Sequence, residues 1–173
     1  MDLVQNAITA KASRIDIHIV ESQKSNTMKI DITDNGKGMS KEILQKVTDP
    51  FFTSRTTRNV GLGIPLYKQH VEQCNGKLEI ISEEGKGTTL RSTMELNHID
   101  RQPMGDIAGV LVLLLTANPN IRFIYEHETD NGKYVVDTAE INNTLGTESV
   151  KEPGILKFIK EMIEENLKDI NTP

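Results

Sequence analysis

Apolar positions along the chain change period several times, and each change marks an element. Leu3, Val4, Ala7, Ile8 and Ala10 recur at helical spacing from the second residue onward, which predicts an opening helix. No capping residue precedes it, so an upstream turn or strand before Met1 is expected. Ile15 to Val20 and Met28 to Thr33 each alternate apolar with polar, the signature of half-buried strands. The polar stretch Glu21 to Thr27 between them predicts an antiparallel hairpin. Asp34-Asn35-Gly36-Lys37-Gly38 stops the second strand. Ser40 then suits the N-cap of a short helix over Glu42 to Val47. Residues 48–60 are polar apart from Pro50-Phe51-Phe52. Ile64 to Cys74 returns to helical spacing and ends at Asn75-Gly76, a pair that tolerates left-handed backbone. Leu78 to Ser82 and Thr88 to Leu96 read as a second hairpin around Glu84-Gly85-Lys86-Gly87.

These elements make an α+β fold, a two-layer α/β sandwich, over residues 1–97. Residues 98–173 read as a small C-terminal α+β extension of helix–hairpin–helix form. His98 to Gly105 is an ordered connector. Asp106 to Ala117 is an apolar helix stopped before Pro119. Arg122 to Glu128 and Lys133 to Asp137 flank the hairpin turn Asp130-Asn131-Gly132. Pro153 opens a last helix whose apolar positions are Ile155, Phe158, Ile159, Met162, Ile163, Leu167 and Ile170. Such a stripe needs a surface to cover it, on the rest of the chain or on another subunit.

Composition narrows the class. Hydrophobic residues make up 36 % and charged residues 26 %, which supports a packed core and excludes wholesale disorder. A formal charge of −5, without a basic stripe, argues against a general nucleic-acid binder. Cys74 is the single cysteine and reads as a buried structural thiol. The longest apolar run, Val110 to Leu115, is too short to span a bilayer, and no signal-peptide pattern opens the chain. The expected setting is cytoplasmic.

Four short motifs carry the candidate chemistry. Asp2 and Asn6 lie four apart, on one face of the first helix. There an acid can orient a nucleophile and an amide oxygen can bind a hard cation, although the spacing alone also fits a solvated face. Asp34-Asn35-Gly36-Lys37-Gly38-Met39 follows a strand. Its glycines allow close backbone approach, and its leading carboxylate can accept from an exocyclic amine; a plain turn is the alternative. Gly61-Leu62-Gly63 opens a helix, where backbone N–H groups suit an anion. Gly85-Lys86-Gly87-Thr88-Thr89 joins two strands and by itself reads as a hairpin turn.

In this order and spacing, the four motifs resemble the histidine-kinase-like (Bergerat-fold) ATPase superfamily over roughly residues 1–96. That superfamily includes sensor kinases, Hsp90, type II topoisomerases and mismatch-repair ATPases. The opening helix resembles its N-box, residues 34–39 its first glycine box, and Asp49-Pro50-Phe51-Phe52-Thr53 the phenylalanine box of sensor kinases. Gly61 to Leu66 and Gly85 to Thr88 resemble the second and third glycine boxes. Within it, the chain resembles small stand-alone bacterial ATP-binding proteins. The resemblance implies ATP and Mg²⁺ as cofactors. Asn6 would hold the Mg²⁺, and Asp34 would bond the adenine amino group. Gly36, Gly38 and Met39 would line the base, while Gly61, Leu62 and Gly63 would meet the phosphates beneath a lid over residues 50–60. Thr88 would bond Asp34 or a water beside the adenine. Arg55 and Arg58 would reach the phosphates or remain solvated lid charges.

Asp2, the candidate catalytic acid, stands where the superfamily usually has Glu. Asn59 stands where sensor kinases often carry a further glycine. No phosphoacceptor helix is legible: of the four histidines only His127 precedes an acid, and it falls in the predicted hairpin. The implied function is a regulatory protein kinase or ATPase acting on a separate protein. The alternative is a nucleotide sensor with little turnover. Expected partners are ATP and a protein substrate or regulator, with homodimer formation left open, and neither nucleic acid nor a membrane span.

Overall fold

A computed structural model describes residues 1–49, 63–146 and 152–170. The predicted opening helix is α1 (Asp2–Thr9), with Met1 at its N-cap position and no side-chain cap. It buries Val4 and Ala7. Lys11, in left-handed backbone, and Ala12 turn the chain into β1 (Arg14–Ser22), which pairs antiparallel with β2 (Thr27–Asp34) as the alternation predicts. Alternation sorts the side chains cleanly. Ile15, Ile17 and Ile19 are buried on one face, while Asp16, His18 and Val20 take the other.

The short helix α2 (Lys41–Lys46) follows, with the Ser40 hydroxyl accepting from the Ile43 N–H. Then come α3 (Gly63–Gln73) and the hairpin β3 (Lys77–Glu83) and β4 (Gly87–Glu95). The left-handed residue that closes α3 is Asn75, at φ 54°. Gly76 serves a different need: a Cβ there would stand 2.3 Å from the Thr93 carbonyl oxygen.

The later residues continue the same sheet. After α4 (Ile107–Ala117), capped by Asp106, β5 (Arg122–Thr129) runs parallel to β1. β6 (Gly132–Asp137) then pairs antiparallel with β5. The result is a six-stranded sheet in the order β3-β4-β2-β1-β5-β6. The first hairpin turn is stitched to the last: Asp130 accepts from the Ser22 hydroxyl at 2.9 Å and from the Lys24 N–H at 3.0 Å.

Two helices finish the fold. α5 (Thr138–Leu145) is not announced by any apolar period in the sequence. Its signal is the Asp137 carboxylate, which caps it by accepting from the Ala139 N–H at 2.9 Å. α6 (Pro153–Asp169) lays its stripe where the periodicity requires. Ile159, Ile163, Leu167 and Ile170 are buried, whereas Phe158 points outward and stays 61 % exposed. The same core holds Val4, Ile15, Met28, Leu111, Leu114 and Phe123, so residues from both ends of the chain share one apolar interior. The Cys74 thiol lies within it, and burial pushes its pKa up, as expected of an unreactive structural thiol. No helix among the described residues is long and apolar enough to cross a membrane.

Candidate functional site

The site residues gather where α1, the β2 end, the α3 start and the β3–β4 turn meet. Asp34 is the last residue of β2, on the same sheet face as Ile32, and lies opposite Ile15 on one side and Thr88 on the other. Its Oδ1 accepts from the Gly36 N–H at 2.8 Å, and the Thr88 backbone also bonds to it. Burial pushes the Asp34 carboxyl above the ordinary carboxylate range, and these two backbone donors pull it part of the way back. The Thr88 hydroxyl is engaged elsewhere, 2.9 Å from the Ser82 hydroxyl.

The glycines of the first and third boxes are required by the chain itself. Gly38 has φ 64°, and a Cβ there would fall 2.0 Å from the Glu83 carbonyl oxygen. Gly87 has φ 100°, and a Cβ there would fall 1.9 Å from the Asp34 carbonyl oxygen. The two loops therefore interlock, each passing too close to the other for any side chain. The Gly85 N–H donates to the Lys37 carbonyl at 2.8 Å, and the Lys37 N–H to the Ala10 carbonyl at 2.9 Å. These bonds tie the third box to the first, and the first to the end of α1.

At the other end, Gly63 begins α3. A Cβ built there would meet the Asp2 Cβ at 3.2 Å and the Asn6 Nδ2 at 3.9 Å. The α3 start thus faces the two polar residues that α1 places on one side, with Asp2 exposed and Asn6 half-buried. The Asn6 amide lies beside this helix start, and with its oxygen turned inward it would be a hard donor suited to holding Mg²⁺ next to a phosphate. Of the phenylalanine box, Asp49 is exposed, and Pro50 to Thr53 lie outside the described residues. So do the rest of the expected lid, with Arg55, Arg58 and Asn59, and the glycine-box residues Gly61 and Leu62.

Three polar side chains hold this arrangement together. The Asn35 carbonyl accepts from the Ser13 and Arg14 N–H groups, both at 2.9 Å, and its amide donates to the Ser13 hydroxyl. The first glycine box is thereby clamped onto the α1–β1 turn. Ser82 accepts from the Met39 N–H at 2.9 Å and donates to the Gly87 carbonyl at 3.0 Å, bridging the first and third boxes. Tyr67 on α3 reaches the buried Ser92 hydroxyl at 2.6 Å, and Ser92 in turn donates to the Ile30 carbonyl. Burial pushes the Tyr67 phenol up to about 12, so it stays a neutral pin beneath α3. Of the three, only Asn35 belongs to a recognisable motif. Ser82 and Tyr67 act through contacts that no local pattern announces.

Residues 1–98 match the family described as Histidine kinase-, DNA gyrase B-, and HSP90-like ATPase. The chain belongs to this family. Among its relatives is the sensor histidine kinase ZraS of Escherichia coli K12, 32 % identical over 105 residues, which are 61 % of this chain and 22 % of that protein. Another is the non-motile and phage-resistance protein of Caulobacter vibrioides, 32 % identical over 118 residues, which are 63 % of this chain and 14 % of that one. The chain thus spans under a quarter of the length of these relatives. In structure it resembles the N-terminal domain of a DNA repair protein, with a TM-score of 0.54 and 17 % identity. That likeness is one of fold, and it covers 90 % of this chain and 56 % of the other. The histidine-kinase-like, two-layer α/β fold expected from the motifs is the one observed.

Proposed function

We propose that this family member binds Mg²⁺–ATP and acts as a regulatory kinase or ATPase on a separate protein, in a cytoplasmic setting. The observation that carries the reading is Asp34. It is a carboxylate held at a strand end by two backbone donors, in a fold where Asn6 of α1 and Gly63 of α3 are neighbours. An ionised carboxylate only accepts, which suits the adenine amino group and not the guanine carbonyl. Calorimetry is expected to show ATP bound in preference to GTP. Asp34→Asn, which adds donors, is expected to weaken ATP by about ten- to a hundredfold, the loss of one charged hydrogen bond of roughly 1.5–3 kcal/mol. Because burial raises the Asp34 pKa, ATP affinity of the native chain should fall as pH drops through that raised value, and the Asn variant should lack this step. Equal affinity for ATP and GTP would remove the assignment.

The histidine environments support action on a separate protein. His127 is fully buried on β5, with its Nδ1 2.6 Å from the Tyr125 hydroxyl. His18 lies on the open sheet face, His70 on α3, and His98 in the connector, beside Asp100. Phosphoryl transfer needs its nucleophile in line with the γ-phosphate, which none of these fixed positions offers. Incubation with radiolabelled ATP should leave no acid-labile, base-stable phosphate on this chain. Such a label would overturn the reading.

The second reading, a nucleotide sensor with little turnover, is favoured by Asp2. Its carboxylate is one methylene shorter than the Glu usual in the family, which draws it back from a reacting water. Labelled ATP incubated with candidate protein partners separates the two readings: transfer to a partner or release of phosphate supports the first, and binding without turnover supports the second.

A further inference from the structure

The sheet face turned away from the helices carries a constellation that the nucleotide reading does not use. β1 and β5 are parallel, with His18 directly opposite Glu126, and Glu128 is two residues further along β5 on the same face. The register therefore places one imidazole and two carboxylates side by side. Their ligand atoms lie within 4.8 Å of one another. His18 Nε2 stands 3.1 Å from Glu126 Oε1 and 4.0 Å from Glu128 Oε2.

One further observation points to a bound cation, and another shows what competes with it. The His18 Nε2 atom is shielded from solvent yet has no hydrogen-bond partner, because its approach to Glu126 lacks the alignment of a hydrogen bond. The ring itself is 40 % exposed, and an imidazole lone pair that converges with two carboxylates calls for a cation between them. Moreover, Lys133 on the neighbouring β6 puts its ammonium 2.7 Å from the same Glu126 Oε1. A positive charge already occupies the edge of the cluster, and the local sum of two carboxylates and one ammonium is still negative.

We propose that His18, Glu126 and Glu128 form a site for one divalent transition-metal ion of the Zn²⁺ class, clipping β1 to β5. One nitrogen and two oxygen donors suit such an ion. Donors bound to it tetrahedrally at about 2.0–2.2 Å stand about 3.3–3.6 Å apart, so the His18–Glu126 pair, at 3.1 Å, has only to open slightly. Glu128 is half exposed and closes the remaining distance by side-chain rotation. Three protein ligands on an open sheet face leave the outer coordination positions to water or to a donor from a partner. The site is distinct from the Asn6 region. His18 alternates with the buried Ile17 and Ile19, so it faces away from the helix layer. Mg²⁺, which keeps its waters and prefers oxygen donors, should not fill it.

The test uses the full chain, freed of metal and titrated with Zn²⁺ by calorimetry, with Mg²⁺–ATP binding as the check that each variant is folded. One Zn²⁺ per chain is expected, together with a rise in the melting temperature that grows with Zn²⁺ concentration. His18→Thr and Glu128→Gln should each weaken Zn²⁺ by more than about tenfold while ATP binding is kept. Lys133→Gln removes the competing cation and should tighten Zn²⁺, a change in the direction opposite to that of any merely disruptive substitution. No Zn²⁺ binding, or binding left unchanged by His18→Thr, would overturn the proposal.

Discussion

The two halves of this sheet solve different problems. In residues 1–95 the glycines and small polar groups decide the structure: Gly38 and Gly87 let two loops interlock, and Ser82 and Asn35 tie those loops down. In residues 107–170 large apolar side chains decide it. Leu111 and Leu114 on α4, Phe123 on β5 and Ile159 and Ile163 on α6 are all buried. The motif-bearing half is shaped for a ligand and is rich in backbone that must come close. The later half carries no such motif, yet it supplies much of the interior and the neighbour of β1, which would otherwise be an unpaired edge. The difference teaches that position and stability of the motif site come from different parts of the chain.

The largest effect should follow from removing α6. Three of its side chains, Ile159, Ile163 and Leu167, are buried together with its C-cap residue Ile170. At roughly 1.5 kcal/mol or more each, their burial is worth on the order of 6 kcal/mol before entropy is subtracted. A chain ending at residue 152 should aggregate or melt far lower, although every motif is intact. A truncation as soluble and stable as the full chain would erase the contrast between the halves.

The glycine loops give a sharper test within the first half. Gly87→Ala drives a methyl into the Asp34 carbonyl at an unfavourable φ and should cost on the order of 3 kcal/mol or more. Gly85 also has a positive φ, of 80°, but open space around it, so Gly85→Ala should cost only about 1 kcal/mol. Denaturant melts of the two variants measure the difference. Equal losses would show that conformation, not close approach, governs this loop.

Ser82→Ala comes next. It leaves the Met39 N–H without its acceptor, at a cost of about 1–3 kcal/mol, and should loosen the first glycine box. Lower ATP affinity together with a lower melting point would confirm that Ser82 joins the boxes; a change in neither would remove it from the site.

The smallest effect belongs to Asp137, which caps α5 and pairs with Arg122. Asp137→Ala should cost about 1 kcal/mol from the cap. The Arg122 guanidinium holds the Asp137 carboxyl below its ordinary range. Its stabilisation is therefore complete above the ordinary carboxylate value and is lost as pH falls through the lowered one. Melts of Asp137→Asn below about pH 4 should lack that part of the acid loss.

Much of this was decided by the sequence alone. Period-two alternation fixed which faces of β1 and β2 are buried, and the helical stripe fixed the inward side of α6, because both depend only on local backbone geometry. The four motifs, in order, identified the family. Local pattern could not decide the rest. β5 lies parallel to β1 because two sequence-distant strands share one interior, and this pairing is what brings His18 to Glu126. Phe158 fits the stripe by spacing but faces solvent, which only the packing of α6 on its neighbours decides. Ser82 and Tyr67 became structural anchors of the site only when β3, β4 and α3 packed, because a hydroxyl gains a role from whichever acceptor the tertiary fold brings within reach.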